Sequence, residues 1–474
     1  MACRPDVVGG GSCGELMGVD PFLVIGGGLA GSSSALTLAD AASPVVLMEK
    51  RPFLGGRAFS FEEKGGAVID NGQHALLGCY HETLALLDRV GVGDQLYRQR
   101  GIELEMREAG RRATLTAGGM PAPFHLLRAL GPFSLLSVRE RVEAARGALA
   151  FVLRARMNPK AMAGETVEEA LVHAGQSERV REILWYPVAL AALNDDPCVA
   201  SATLFAEVVR RAFLGRAGDA AIVLPGVPLS ELFGTPVEKA LVASGVEVQT
   251  STAVRSIAAD PQGRILGVHL PNGELRRARG IILATTPRAL GRLNLGERPL
   301  LEAIGEIPAC LQETAPIVST HVVLPAPVDL PAVVGLVGTT TQWVFNSDRI
   351  RQDRHGGTGL LSCVTSGARE LDGLPDAEVK AIVSRELQQF LPEVHGISEE
   401  AMHVVREKHA TMAPTPQANA ERPPVRTRVP GLFLAGDWVQ TGLPATLESA
   451  TISGRMAAEA MLETISPAVS RAAA

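Results

Sequence analysis

The sequence predicts an α/β fold: a Rossmann-like nucleotide-binding domain interleaved with a mixed α+β domain. Three features of the 474-residue chain carry that expectation. A strand, a glycine-rich loop and a helix open its ordered part. A second strand–loop–helix closes it. Between them the texture shifts from helical periodicity to strand-like runs and back, so neither domain reads as one continuous stretch.

In chain order, Met1 to Asp20 is glycine-rich, lacks the apolar stretch of a signal peptide and is expected to be a disordered tail. Pro21 to Gly26 (PFLVIG) is a short apolar strand. Leu29 to Ala39 is small and apolar enough to pack as a helix on a sheet, and Val45 to Glu49 is the next strand. The loop between them fits GxGxxG. Gly26 permits the tight turn, Gly28 lets the backbone approach a pyrophosphate, and Gly31 allows close helix–strand packing. The helix start, including Ala30, then offers free N–H groups and partial positive charge to phosphates. Glu49 follows about 20 residues on, where an acid accepts hydrogen bonds from a ribose hydroxyl. A glycine-rich turn with no ligand is the rival reading, and it leaves the strand, helix and acid unexplained. The motif alone does not choose between NAD and FAD.

From about Gly72 to Leu224 the pattern is helical with charged faces, as in Tyr80 to Arg89 and Val138 to Arg154. Pro225 to Leu283 turns sheet-like. It holds a helix over Glu231 to Ala243, a strand at Gly245 to Thr250, and a hairpin of Ile265–Leu270 and Glu274–Arg277 around Pro271-Asn272-Gly273. Gly280 to Ala284 is a further buried strand. Beyond residue 291, possible strands (Ile317 to Leu324, Gly359 to Val364) accompany a helix near Ala377 to Phe390. The Pro-rich stretch Ala413 to Pro430 returns the chain to the first domain. There Leu432 to Ala435 runs as a strand into Gly436-Asp437, and a helix is expected from Pro444–Thr446, with Pro444 at its first position. The nucleotide-binding domain is thus expected at 21–72, 225–290 and 428–465, and the other domain at 73–224 and 291–427.

Composition narrows the function classes. Hydrophobic residues make up 46% but aromatics only 4%, so the apolar content is mainly Ala, Leu and Val. Mean hydropathy is +0.16, oily for a soluble protein, yet no apolar run reaches the roughly 18 residues of a spanning helix. A net charge of −6 argues against a general nucleic-acid binder. Six scattered cysteines without a CxxC pair read as reduced thiols in a cytoplasmic protein. Ten histidines without ligand spacing point to no metal site.

The segment after Glu49, KRPFLGGR (Lys50 to Arg57), resembles the extension found in the amine oxidase and phytoene desaturase superfamily of flavoproteins. Resemblance to that superfamily implies FAD as cofactor. It places the Gly55-Gly56-Arg57 loop across the pyrophosphate, with Arg57 in a charge-assisted contact; a surface salt bridge is the alternative. It also sets Asp437 near the ribityl chain and phosphate, and aims the helix after Pro444, Ala445 and Thr446 at the flavin N1–C2=O edge. There the helix would stabilise the reduced anionic ring. Lys50, Gly72 and Gly436 belong to the same implied set, and Val254 in STAVRSI matches the position whose backbone contacts adenine.

VIDNGQHALLGCYHETLALLDR (68–89), AALNDDPCVASATLF (191–205), LPGVPLSELF (224–233) and GDWVQTGLPATLESA (436–450) narrow the resemblance further. Together they are similar to the squalene-associated FAD-dependent desaturases, also described as hydroxysqualene dehydroxylases. This likeness covers residues 21 to 465. It implies reductive removal of an allylic hydroxyl from hydroxysqualene to give squalene, in hopanoid-type synthesis. The chain departs from the family where Asp195-Asp196-Pro197 replaces a neutral turn after Asn194. Candidate polar groups are His74, Asn194 and Asp195, each of which also reads as a structural hydrogen-bonding residue. Glu448 reads more readily as a structural partner than as an acid.

A C30 isoprenoid gains roughly 0.8 kcal/mol per CH₂ on leaving water but little on leaving a bilayer. The protein is therefore expected on the inner face of the cytoplasmic membrane, with residues 121–160 as its docking element. An ordinary helix pair on the core is the alternative for that segment. NAD(P)H or a separate reductase would supply electrons, since no second GxGxxG follows a strand. The rival functions are a carotenoid-type C–C desaturase and a non-catalytic flavin-binding scaffold. A monoamine-oxidase-like reading lacks an aromatic pair, because Trp438 stands alone.

Overall fold

Four apolar residues buried on both faces suit a strand inside a parallel sheet covered by helices, and that is the setting of β1 (Phe22–Ile25). The computed structural model describes residues 20–63, 66, 68–117, 128–216, 218–351 and 357–465; the expected tail therefore lies almost wholly outside the described residues. β1 is the middle strand of five, in the order Glu247–Gln249, β2 (Val45–Met48), β1, Gly280–Leu283, Leu432–Leu434. All four pairings are parallel, with Phe22 opposite both Val45 and Gly280. The crossover from β1 to β2 is α1 (Leu29–Asp40), as the glycine motif predicts.

α1 is tied to the C-terminal helix Leu447–Ile465 by small residues. Ser33 Oγ donates to the Thr451 carbonyl at 2.9 Å, and Ser34 Oγ to the Gly454 carbonyl at 2.9 Å. A side chain at Gly454 would stand 2.1 Å from the Ala30 carbonyl oxygen. The glycine is what lets the two backbones approach.

The second domain is built on a seven-stranded sheet. Its order is Met402–Met412, Thr314–Val323, Leu360–Ser366, Trp343–Asn346, Val333–Leu336, Ile102–Glu108, Arg111–Ala117. One face carries Trp343, Phe345 and Val364 into a core with Phe151, Trp185 and Phe205 from the helices of residues 138–214. The other face packs Val318, Val322 and Leu361 against Val379, Val383 and Leu387 of the helix Asp376–Phe390. The predicted α/β class with a Rossmann-like half holds.

Three local expectations are corrected. Residues 102–117, read as part of a helical region, form a hairpin turning at Gly110 (φ +72°). Its IELEMRE strand buries Leu104 and Met106 at period two, a pattern too short to stand out beside the neighbouring helices. The single helix expected over Glu231–Ala243 is two, Leu229–Phe233 and Thr235–Ala243. The break is at Gly234, where a Cβ would meet the Ser230 carbonyl at 2.7 Å. The last helix starts at Leu447, and Pro444 is not its first residue. Thr446 Oγ1 accepts the Ser449 amide at 3.2 Å, so the hydroxyl cap sets the start.

Replacing Gly454 by Ala forces the two helices apart and should cost about 1–3 kcal/mol of stability. Gly164, with nothing within 4 Å of a built Cβ, is the control, and Gly164→Ala should stay within about 0.5 kcal/mol. Urea denaturation of both variants measures the difference; equal midpoints would show that the helix contact is slack.

Candidate active site

A cavity of about 1000 Å³ joins the glycine loop after β1 to the helical cover of the seven-stranded sheet. Its two ends differ in chemistry. At the first end the walls are backbone. Gly26 has φ +112°, and a Cβ there would stand 2.4 Å from the Ala284 carbonyl oxygen; one at Gly31 would strike the Gly26 carbonyl. Gly28 is different: a Cβ on it meets nothing nearer than Gly56 Cα at 3.7 Å. The loops of Gly26–Gly28 and Gly55–Gly56 thus face each other, tied by Gly55 N–H donating to the Gly27 carbonyl at 2.9 Å. No side chain caps α1, and its first turn holds no acid. Its free amides point at that gap, the arrangement that binds a phosphate.

Glu49 closes the neighbouring wall. It is buried, and accepts the Gly27 amide at 2.7 Å and the Arg51 amide at 2.8 Å. Each oxygen keeps a lone pair for a ribose hydroxyl. Thr285 Oγ1 on the opposite side is buried with no hydrogen-bond partner among the described residues. A cradle open only where a ligand would pass, uncapped amides and an orphaned hydroxyl fit a dinucleotide.

The C-terminal segment completes this end. Arg57 Nη2 lies 2.7 Å from Asp437 Oδ2, and Arg57 also donates to the Ala410 carbonyl. The salt bridge offered as an alternative for Arg57 is therefore present, within the cavity and not on the open surface. Gly436 N–H donates to Ser453 Oγ at 2.8 Å. Behind the loop Asp437–Leu443, the guanidinium of Arg422 is buried without a carboxylate in contact among the described residues. It donates to the carbonyls of Asp437 and Val439, both at 2.6 Å, and to those of Trp438 and Leu443. Burial pushes its pKa down to about 10.

The remaining expected residues separate. Ala30, Lys50, Gly72, Val254, Ala445 and Thr446 line the cavity; Gly31 and Pro444 do not. His74 lines it too, with Nδ1 3.2 Å from the Gly72 carbonyl oxygen. Desolvation holds its imidazole pKa below the ordinary value, so it is neutral near pH 7. Asn194 touches the cavity from a left-handed conformation (φ +59°) that ends the helix Tyr186–Leu193. Its amide donates to the Ala315 carbonyl (3.1 Å) and Thr411 Oγ1 (2.9 Å) and accepts from Gly367 N–H (3.1 Å). Asp195 is a correction: it is fully buried, clamped by both terminal nitrogens of Arg369, and does not line the cavity. Glu448 is a structural cap, accepting the amides of Glu82 and Thr83 at 3.1 and 2.9 Å.

Sequence reasoning passed over Arg422, Thr285 and Glu407. Glu407 lines the cavity and accepts the Asn71 amide at 3.0 Å. The strand Met402–Met412 carries no alternation that would have singled out Glu407; Arg422 sits in a Pro-rich stretch that reads as linker.

Toward its other end the cavity becomes apolar, walled by Leu104, Leu115, Leu130, Val152, Val188 and Phe213. A dinucleotide cradle opening into an apolar chamber suits flavin-dependent oxidoreduction, and the protein is an enzyme of that class, with FAD as its cofactor. More narrowly, the chain belongs to the flavin-containing amine oxidoreductase family, whose profile matches residues 29–462. It is 31% identical over 450 residues to hydroxysqualene dehydroxylase of Rhodopseudomonas palustris, covering 93% of this chain and 97% of that one. It is 24% identical to a 15-cis-phytoene desaturase of Narcissus pseudonarcissus, over 93% of this chain and 79% of the relative. Putrescine oxidase shares the fold at TM-score 0.68 and 16% identity, over 94% and 99% of the two chains.

Gly28→Ala tests the cradle. The protein itself has room for the methyl group, so apo-protein thermal stability should be unchanged. FAD affinity, read by titration of flavin fluorescence, should fall at least about tenfold, the equivalent of 1.4 kcal/mol. Unaltered affinity would place the diphosphate elsewhere.

Proposed function

We propose that the protein reductively removes the allylic hydroxyl of hydroxysqualene, giving squalene. The observation that carries this reading is the chamber, whose polar groups cluster at the cofactor end and whose far walls are hydrocarbon. A C30 substrate with one hydroxyl matches that division. The names of its relatives support the same reading: hydroxysqualene dehydroxylases, with phytoene desaturases at lower identity. Reduced FAD supplies the hydride. The chain's own part is to hold the substrate, exclude water from the apolar chamber and present a polar wall to the hydroxyl. NAD(P)H or a separate reductase would reduce the flavin.

A membrane surface is the expected source of substrate, and the helix Val138–Met157 supports it. Val138, Val142, Leu149, Leu153 and Met157 are exposed at intervals of four and seven residues, an apolar stripe flanked by exposed Arg139, Arg146 and Arg156. Leu149 is 61% exposed and also lines the cavity, so the chamber reaches the surface beside the stripe. Residues 121–127 of the segment assigned to docking lie outside the described residues. No described helix is long and apolar enough to cross a membrane.

Two measurements test the proposal. Anaerobically pre-reduced protein mixed with hydroxysqualene should reoxidise its flavin as squalene forms. A flavin that stays reduced, together with bleaching of the oxidised enzyme by a polyene precursor, would establish a desaturase. For docking, the wild type should co-sediment with anionic vesicles, and Leu153→Asp with Met157→Asp should abolish that while leaving FAD binding intact. Equal sedimentation of the two would remove the stripe from the account.

A further inference from the structure

Three carboxylates line the cavity among the described residues: Glu49, Asp437 and Glu407. Two are committed. Glu49 holds the amides of its own loop region, and Asp437 is paired with Arg57. Glu407 makes no ion pair among the described residues. Its contacts are the Asn71 amide at 3.0 Å and the His409 backbone N–H at 3.3 Å.

Strand register places it in the chamber floor. Glu407 sits opposite Ile317, which sits opposite Ser366; in the next row Val405, Ser319 and Val364 stand side by side. All six line the cavity. Among these six residues Glu407 alone is charged, and it stands at the end of the chamber shared with His74, Arg57 and Asp437. The Arg57 guanidinium lies near enough to interact with it.

Resting on the substrate reading above, we propose that Glu407 is the anion that stabilises the positive charge generated when the allylic C–O bond of the substrate breaks. In that step the hydroxyl oxygen takes a proton from a hydronium ion of the solvent, which is left as water, and departs as a second water with the C–O electron pair, and an allylic cation remains. Two electrons and one hydrogen arrive as hydride from the reduced flavin, forming the C–H bond. The carboxylate is unchanged throughout. It acts by being a fixed negative charge in a dry chamber, where such a charge is most effective.

A stable cation mimic tests this without turnover. An isoprenoid in which a protonated tertiary amine replaces the reacting carbon should bind the oxidised holoenzyme at least about tenfold more tightly than it binds Glu407→Gln. Uncharged squalene should bind both alike, and single-turnover reduction of hydroxysqualene should fall on the order of 100-fold in Glu407→Gln. Glu407→Asp, which keeps the charge, should retain the preference for the ammonium compound. Equal affinity of wild type and Glu407→Gln for the ammonium compound overturns the assignment. So does a Glu407→Asp variant that holds FAD and loses the preference, which decides the matter even if Glu407→Gln does not fold. Failure of the wild type to bind either isoprenoid overturns the substrate reading, and the role of Glu407 with it.

Discussion

The contact between α1 and the C-terminal helix is the constraint on which the rest of the structure depends. These helices are more than 400 residues apart in sequence, yet Ala30, Ser33, Ser34 and Gly454 let them approach at backbone distance. Larger residues would separate them, and the loops that precede both helices would separate too. Those loops are Gly26–Gly28 and Gly436–Thr446, the two sides of one cradle. Serine hydroxyls bonded to carbonyls of the facing helix replace the interdigitated apolar side chains of an ordinary helix pair.

Electrostatics follows from that geometry. Two helix N-termini turn toward one cavity, and each carries partial positive charge. Arg57 adds a full charge, met by Asp437 at 2.7 Å. Arg422 adds another behind the loop, solvated entirely by carbonyls and a serine hydroxyl. A buried cation without a carboxylate in contact is costly, and it stays because five oxygens of one loop region converge on it. The polar end of the cavity is therefore rigid where the cofactor must be held, while the chamber walls beyond it are unspecific hydrocarbon.

How much of this could be read from the sequence depended on how local each feature is. The first βαβ unit was legible because Gly26, Gly28, Gly31 and Glu49 act within a few tens of residues, each with a single physical reason to be what it is. The closing strand was legible for the same reason, while Gly436-Asp437 stood out only through the family resemblance. Asp195 was misjudged because its partner, Arg369, is 174 residues away. An acid with a distant partner and a free acid look identical in sequence. Glu407 escaped for the converse reason: only the pairing of three strands turns it toward the cavity. The start of the last helix was misplaced by a few residues because Pro444 and Thr446 are both good initiators, and the hydroxyl hydrogen bond decides between them. Gly234 could have been read as a break, since Pro236 follows it two residues later.

The strand order of the parallel sheet has a consequence for how the protein is made. Gly280–Leu283 lies between β1 and Leu432–Leu434, so its outer edge has no neighbour until nearly the whole chain has been synthesised. For the time needed to translate about 150 residues, at 5–20 residues per second, an apolar strand waits with unpaired amides and carbonyls facing outward. Such an edge is a template for pairing with another chain. In a protein wired this way that strand edge is open to such pairing until Leu432–Leu434 arrives to cover it.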